Sequence, residues 1–334
     1  MTTTERPRPI MLGVVGDSAA GKTTLTAGLV RALGGERVSV ICTDDYHRYD
    51  RAQRAERRIT PLHPACNYLD ILAQHLRLLC AGEPILKPVY NHRTGTFDPA
   101  VYLEPRAFVI AEGLHGFSNT GLRECFDIKV YLDPPEELRR RWKVQRDTGK
   151  RGYTVEQVLA ELERRESDSA QFIRPQKDYA DIVVRFQPPA TPTDDAHLDA
   201  RLVLYGSLIH PNLSGLVACA NGNPPALQLS MGREGGRLAE FLHIAGSASE
   251  QEVRAVERYL QEQMGLVGVP DPQSIGVFPD GVQCHHSRPL ALTQLLIVYH
   301  LLRARHGDAR EPAAAGPGVN SEVNPTIGEA LTVR

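Results

Sequence analysis

Residues Gly16-Asp17-Ser18-Ala19-Ala20-Gly21-Lys22-Thr23 fit the pattern G-x-x-x-x-G-K-[ST], and no other stretch limits the fold of this chain so strongly. The pattern works only between a strand and a helix. Ile10 to Val15 (IMLGVV) is an apolar run of strand length, and Thr24 to Leu33 (TLTAGLVRAL) spaces its apolar residues as a helix does. The reason for that order is electrostatic. Backbone N–H groups of the loop and of the helix start converge on one place, where they hold anionic phosphate. Lys22 is expected to reach the β- and γ-phosphates of a nucleoside triphosphate, and the Thr23 hydroxyl to ligate Mg²⁺. Gly16, Asp17, Ser18, Ala19, Ala20, Gly21, Lys22, Thr23 and Thr24 are the expected residues of the nucleoside triphosphate site. The motif leaves open what receives the phosphoryl group.

The remaining composition narrows the classes. A chain of 334 residues has room for one large or two ordinary domains, and 42% hydrophobic with 23% charged residues is the balance of a soluble globular protein. The net charge of −2 gives no overall pull toward nucleic acid or anionic membrane, so neither is expected as a partner. Any anion site must come from local clustering of basic residues. No run approaches the ~18 apolar residues of a membrane span. MTTTERPRP at the N-terminus lacks the apolar core of a secretory signal. Cys42, Cys66, Cys80, Cys125, Cys219 and Cys284 form no C-x-x-C, which suggests neither a zinc site nor a disulfide framework. Reduced thiols and a cytoplasmic location are expected.

Along the chain, Arg37 to Thr43 reads as a buried strand that runs into Asp44-Asp45-Tyr46-His47. Carboxylates at the C-terminal end of a strand sit where open α/β sheets bind ligands. Either one could orient and deprotonate an acceptor hydroxyl, or simply cap a turn. Arg48, Arg51 and Arg54 recur every third residue, followed by Arg57 and Arg58. On a helix they make a basic stripe, either a solvated face or a clamp for an anionic acceptor. Asn67 to Cys80 reads as an amphipathic helix closed by Ala81-Gly82, and Lys87 to Gly95 as a polar, turn-rich specificity loop.

Ala107 to Ala111 is another strand, ending in Glu112-Gly113-Leu114-His115. Glu112 stands where phosphate-loop enzymes keep a carboxylate for Mg²⁺, while His115 is expected to be structural. A further strand, Ile128 to Leu132, stops at Asp133-Pro134-Pro135. Glu136 to Asp147 is a helix rich in cations (Arg139, Arg140, Arg141, Lys143, Arg146). Gly149 to Gly152 then reads as a hinge, and Thr154 to Glu166 as a second helix, capped by Thr154 and carrying Arg164 and Arg165. Together they suggest a basic lid over about 136–170, or else two solvated helices. Ile182 to Val184 is expected to be the last strand of the core sheet.

The alternation of strands and helices predicts an α/β fold of the P-loop NTPase type, nucleoside-monophosphate-kinase-like, with a largely parallel sheet flanked by helices. The expected division is a kinase core over 1–187, a C-terminal α+β extension over 188–307 and a disordered tail over 308–334. In the extension, Arg201 to Leu208 and Ala226 to Met231 read as strands and Ser249 to Met264 as a helix. Pro289 to Arg303 is apolar nearly all round, so it is expected in the core or in a subunit interface. This half shows no catalytic constellation of its own.

Several segments taken together carry a family resemblance: ICTDDYHRYDR at Ile41–Arg51, KPVYNHRTG at Lys87–Gly95, EGLH at Glu112–His115, YLDP at Tyr131–Pro134, KVQRD at Lys143–Asp147, RGYT at Arg151–Thr154 and PQKDYAD at Pro175–Asp181. With the phosphate loop they resemble the phosphoribulokinases, of the longer-chain dimeric type, within the phosphoribulokinase/uridine kinase branch of P-loop kinases. The likeness runs to about Phe186. It implies ATP-dependent phosphorylation of the 1-hydroxyl of D-ribulose 5-phosphate in the Calvin cycle of carbon fixation, with a homodimeric enzyme. It implies Asp44 as general base, and Thr23 with Glu112 for Mg²⁺. Lys22, Lys143 and Arg146 stabilise phosphoryl charge beside Asp147. His47, Arg51, Arg54, Tyr90 and His92 hold the sugar phosphate, and Arg151, Arg164 and Arg165 serve the lid or an effector response. One departure stands out. Plant members carry a regulatory cysteine in the phosphate loop and another just before the acid pair; Cys42 matches the second, but Ala20 holds the first place. The plant C-terminal cysteine pair is missing as well. No thiol switch of that kind is expected, nor the redox-dependent scaffold partners that accompany it. The competing expectations are a uridine or other small-molecule kinase of the same branch, and an ATP-dependent regulatory switch or scaffold.

Overall fold

A computed structural model of the chain describes residues 8–189, 198–220, 222–223, 225–264, 275–280 and 283–307. The tail expected to be disordered, 308–334, lies outside the described residues. In chain order, β1 (Ile10–Gly16), α1 (Lys22–Leu33) and β2 (Val38–Cys42) are followed by α2 (Arg51–Glu56) and α3 (Leu69–Cys80). Then come β3 (Ile85–Asn91), β4 (Thr96–Leu103), β5 (Phe108–Gly113), α4 (Thr120–Arg123), β6 (Ile128–Leu132), α5 (Glu136–Arg151) and α6 (Val155–Asp168). The rest is β7 (Ile182–Gln187), β8 (Asp199–Tyr205), α7 (Leu213–Cys219), β9 (Leu227–Glu234), β10 (Arg237–Ile244), α8 (Glu250–Met264), β11 (Val277–Asp280), β12 (Gln283–His286) and α9 (Arg288–Arg305).

One eight-stranded sheet, in the order β2-β5-β1-β6-β7-β8-β10-β9, organises the molecule. The first five strands are parallel. β1 lies among them, and all seven of its residues are buried, as expected for an unbroken apolar run covered on both faces. Its side chains alternate. Leu12 and Val14 join the core under α1 and α9, while Met11 and Val15 join the core under α3.

The sheet does not end at β7 as expected. β8 pairs with it antiparallel, from Ile182↔Leu204 to Gln187↔Asp199, and β10 and β9 extend the sheet further. An open edge with alternating apolar side chains is a template for the next strand, and β8 (DARLVLY) supplies one. The residues after 187 thus continue the same sheet. The helix α7 and the strand β10 add to the elements expected there.

α9 resolves an open alternative. Pro289 to Leu301 are all buried, and the helix packs on α1 and α8 and over β1 and β8. Its apolar circumference is therefore core and not a subunit face. Each of Leu292, Leu295, Leu296, Ile297 and Leu301, at 2% exposure or less, contributes about 1.5–3 kcal/mol by burial. A charged residue at Leu296 would break this layer. Two local expectations also change. The Lys87–Gly95 segment is not a loop throughout: Lys87 to Asn91 pair with β4 in a hairpin, leaving a turn at 92–95. The hinge expected at Gly149–Gly152 is shorter, because α5 continues through Arg151 and ends on Gly152 in the left-handed region (φ 73°).

Candidate active site

The C-terminal ends of β1, β2 and β5 open into a cavity of about 2060 Å³ under α5 and α6. Nine arginine and lysine side chains line it against four carboxylates, although the chain as a whole is slightly acidic. That is the local clustering an anion site requires.

The phosphate loop leaves β1 at Gly16 and enters α1 at Lys22. Ala19 (φ 66°) and Gly21 (φ 96°) take left-handed conformations that turn the backbone back on itself. Lys22 Nζ donates to the carbonyls of Gly16 and Asp17, both at 2.9 Å. Burial pushes its pKa down, opposed by Asp44 and Glu112. Ser18 to Thr24 line the cavity, but Gly16 and Asp17, expected there too, do not. A Cβ on Gly16 would stand 2.6 Å from the Leu132 carbonyl, so this glycine serves close packing against β6. Asp17, at 6% exposure, accepts from Ser169 Oγ and lies 3.5 Å from Arg139 Nη1. It ties the back of the loop to the base of the lid.

Thr23 Oγ1 donates to Glu112 Oε1 at 3.2 Å. Glu112 Oε2 is buried and has no hydrogen-bond partner among the described residues. Burial pushes this carboxyl up, partly offset by Lys22 and Thr23. A hydroxyl, a carboxylate and an orphaned buried oxygen in a phosphate-binding cavity suit a small hard cation that takes few protein ligands. Among the described residues no cluster of three or more His, Cys, Asp or Glu could hold a metal by itself.

The adjacent acids part company. Asp45 is buried, accepts from the Tyr90 backbone N–H at 2.8 Å and forms an ion pair with Lys87. It fastens β3 to the turn after β2. Asp44 lines the cavity and accepts no hydrogen bond among the described residues. Burial raises its pKa, yet His47, Lys22, His92 and His115 pull it down by more, and the net shift is downward. His47 and His115, each lowered to about 4 chiefly by burial, are neutral at pH 7. Lys22 is then the cation facing Asp44, which is ionised. Gly113 lets this turn approach β5, since a Cβ there would meet Thr43 Oγ1 at 1.9 Å.

His47, Arg51, Arg54, Tyr90 and His92 meet on one wall. Asn67 Oδ1 holds His47 Nδ1 at 2.7 Å, and the His47 ring stands edge-on to Tyr90 at 4.9 Å. Arg54 donates to the Tyr90 hydroxyl at 2.5 Å and to the Tyr49 carbonyl at 2.7 Å; Arg51 donates to the His92 carbonyl at 2.5 Å. The expected arginine stripe does not form. α2 begins only at Arg51, capped by Asp50, and Arg48 lies over the Tyr68 ring and Arg57 over Tyr49. Stacking on these rings scatters the arginines, and only Arg51 and Arg54 reach the cavity.

From the lid side come Lys143, Arg146, Asp147, Arg151, Arg164 and Arg165, all lining the cavity. Asp147 organises the first group. Lys143 Nζ donates to its Oδ2 at 2.9 Å, Arg146 Nε to its Oδ1 at 2.8 Å, and Arg151 Nη1 lies 3.5 Å from Oδ1. Burial works against the Asp147 carboxylate, but Arg146 and Lys143 win and lower it to about 2. Lys143 falls to about 8, through burial and the nearby Arg165. Arg164 and Arg165 share Glu161, while Arg165 Nε is buried without a hydrogen-bond partner among the described residues.

Other residues of the site carry no local signal. Asn67, Lys87 and Ser169 act through partners 20, 42 and 152 residues away. Phe278 and His285, from the C-terminal half, also line the cavity.

Comparison with known proteins finds relatives that share part of this chain. The chain is 42% identical over 186 residues to a phosphoribulokinase of Synechocystis sp., covering 56% of each protein. It is 37% identical over 205 residues to a chloroplastic phosphoribulokinase of Triticum aestivum, covering 56% of this chain and 51% of that one. The chain thus spans about half the length of these curated relatives. A solved phosphoribulokinase from Rhodobacter spheroides superposes with a TM-score of 0.56 at 20% identity, over 75% of this chain and 99% of that one, a likeness of fold. The profile of the Phosphoribulokinase / Uridine kinase family matches residues 11–191, which hold every loop, acid and lid residue described above, and the chain belongs to that family.

Proposed function

We propose that this protein transfers the γ-phosphoryl group of ATP to the 1-hydroxyl of D-ribulose 5-phosphate, giving ribulose 1,5-bisphosphate for carbon fixation. One observation carries the reading. Asp44, free of protein partners among the described residues, lines the same cavity as the phosphate loop and a wall bearing Arg51 and Arg54. A nucleoside acceptor has no phosphate for those guanidiniums; a sugar phosphate does.

In this reading Asp44 accepts the proton of the attacking hydroxyl, a step worth roughly 10²–10⁴ in rate. Lys22, Lys143 and Arg146 offset charge on the transferring group. Asp147 holds Lys143 and Arg146 on its two oxygens, which fixes their spacing and limits their mutual repulsion. Thr23 and Glu112 would hold Mg²⁺, which neutralises triphosphate charge when bound. Arg51 and Arg54 bind the acceptor phosphate, and the neutral imidazoles of His47 and His92 with Tyr90 position its hydroxyls. Arg151, Arg164 and Arg165 close over the site as the lid or report an effector. The core of 1–187 carries all these groups.

We place the enzyme in the cytoplasm, in keeping with six free thiols. Cys42 makes a poor switch, its thiol pushed well above its usual value by burial and then by Asp44 and Asp45. A homodimer is supported by β9, an outer strand whose Met231 is 78% exposed. The test is ADP release with Mg²⁺ and ATP in three parallel reactions: ribulose 5-phosphate, uridine or no acceptor. Release that depends on ribulose 5-phosphate is expected. Release with uridine would move the protein to the other branch of its family, and equal slow release in all three would point to an ATP-dependent switch or scaffold.

A further inference from the structure

The cavity has two ends. Its acceptor wall stands on β3 and the turn after β2, on the α3 side of the sheet. Past the phosphate loop, on the α1 and α9 side, the lining turns apolar and aromatic. Trp142, Phe186, Phe278 and Leu290 line this end, and each belongs to or packs against the core beneath α1 and α9. Phe278 and His285 come from the ribbon β11–β12, where they are directly paired across strands, so both rings stand on one face. Their centroids are 5.7 Å apart with planes tilted by 31°.

The ribbon is held in place from the phosphate-binding helix. Gln294 of α9, fully buried, accepts from the Gly276 backbone N–H at 2.7 Å at the ribbon's root. Its Nε2 donates to the carbonyls of Thr24 and Leu25, at 3.4 and 3.3 Å, at the start of α1. Arg31 of α1 donates to the Val277 carbonyl at 3.3 Å. One buried amide thus sets an aromatic wall at a fixed distance from the loop that holds phosphate. None of Gly276, Phe278, His285 or Gln294 lies within the stretch matched by the family profile.

We infer that the β11–β12 ribbon is the base-recognition wall of the nucleotide site, with Phe278 and His285 stacking on the purine of the bound nucleotide and Trp142 of α5 lining the same end. This rests on the reading of the cavity as a nucleotide site. It also gives the C-terminal half a part in substrate selection.

Trp142 is the only tryptophan in the chain, so its fluorescence reports on this end of the cavity directly. ADP and inorganic tripolyphosphate are titrated against the full-length protein with Mg²⁺. Wild type is expected to bind ADP with a change in Trp142 emission. Loss of one base–aromatic stack weakens binding by roughly 5- to 150-fold. Phe278→Ala should weaken ADP by that factor and leave tripolyphosphate within about twofold. His285→Ala tests the same wall at an exposed ring whose loss does not disturb the core; it should weaken ADP in the same selective way. Unchanged ADP affinity in both variants overturns the inference, as does an equal loss for ADP and tripolyphosphate. The two readings fail separately. Selective loss of ADP affinity without ribulose 5-phosphate-dependent turnover would keep the wall and reject the acceptor. Turnover on ribulose 5-phosphate with ADP affinity intact in both variants would do the reverse.

Discussion

Asp44 and Asp45 are neighbours in sequence with different predicted responses to the same substitution. Asn keeps the shape and removes the charge. At Asp45 it leaves the Lys87 ammonium, with side-chain exposures of 12% and 10% for the pair, buried without its counter-charge. Removing one partner of a buried ion pair costs about 3–5 kcal/mol. Unfolding entropy near 2.1 cal/mol/K per residue, over 334 residues, makes each kcal/mol about 1.4 °C in Tm, so Asp45→Asn should lower Tm by roughly 4–7 °C. Asp44→Asn removes no hydrogen bond found among the described residues, but it loses the Lys22 attraction that helps hold this carboxyl below its usual range. Its Tm should fall by less than that of Asp45→Asn, which breaks a hydrogen-bonded ion pair, while kcat falls by roughly 10²–10⁴ with ATP affinity little changed. Scanning calorimetry and steady-state kinetics on the two purified variants read both quantities. A stable Asp45→Asn protein with collapsed kcat, beside a destabilised but active Asp44→Asn protein, would refute the assignment.

Three further outcomes are expected. Lys143, lowered to about 8, is charged below that pH and neutral above it, so kcat/KM should fall on an alkaline limb centred near pH 8. Lys143→Arg, which stays charged, should lack that limb in a pH–rate profile; an unmoved limb assigns it to another group. Arg51→Ala should raise KM for ribulose 5-phosphate by about 10- to 100-fold, the worth of a charge-assisted hydrogen bond, with KM for ATP unchanged. An effect confined to ATP would reject its acceptor role. Gly28→Ala would place a Cβ 1.9 Å from Gln294 Nε2, and overpacking of this kind costs about 1–3 kcal/mol. A Tm equal to wild type would contradict the tight α1–α9 junction.

What could be read from residue order was local. The phosphate loop is one, because its glycines, lysine and threonine act within a single turn of chain between β1 and α1. Glu112 was legible for a similar reason, as an acid closing an apolar strand. The choice between Asp44 and Asp45 was not, because it depends on Tyr90 and Lys87, more than 40 residues away on a hairpin whose polar composition reads as a loop. The arginine stripe misled because periodicity cannot reveal that Tyr68 and Tyr49 draw Arg48 and Arg57 aside. β8, β10 and β9 were hidden as partners of β7 because the pairing of an edge strand is decided by what arrives beside it. The aromatic wall of Phe278 and His285 depends on a buried glutamine joining residues about 270 positions apart, and no spacing rule announces that.

The central claim is that one cavity presents a free carboxylate between a phosphate loop and a second site for a phosphate already on the acceptor. The most direct test compares kcat/KM for D-ribulose 5-phosphate and for unphosphorylated D-ribulose at fixed ATP and Mg²⁺. Two guanidinium contacts, each worth about 1.5–3 kcal/mol, predict a preference for the phosphate ester of roughly 10² to 10⁴ that shrinks in Arg51→Ala. Equal kcat/KM for the two acceptors would contradict the account.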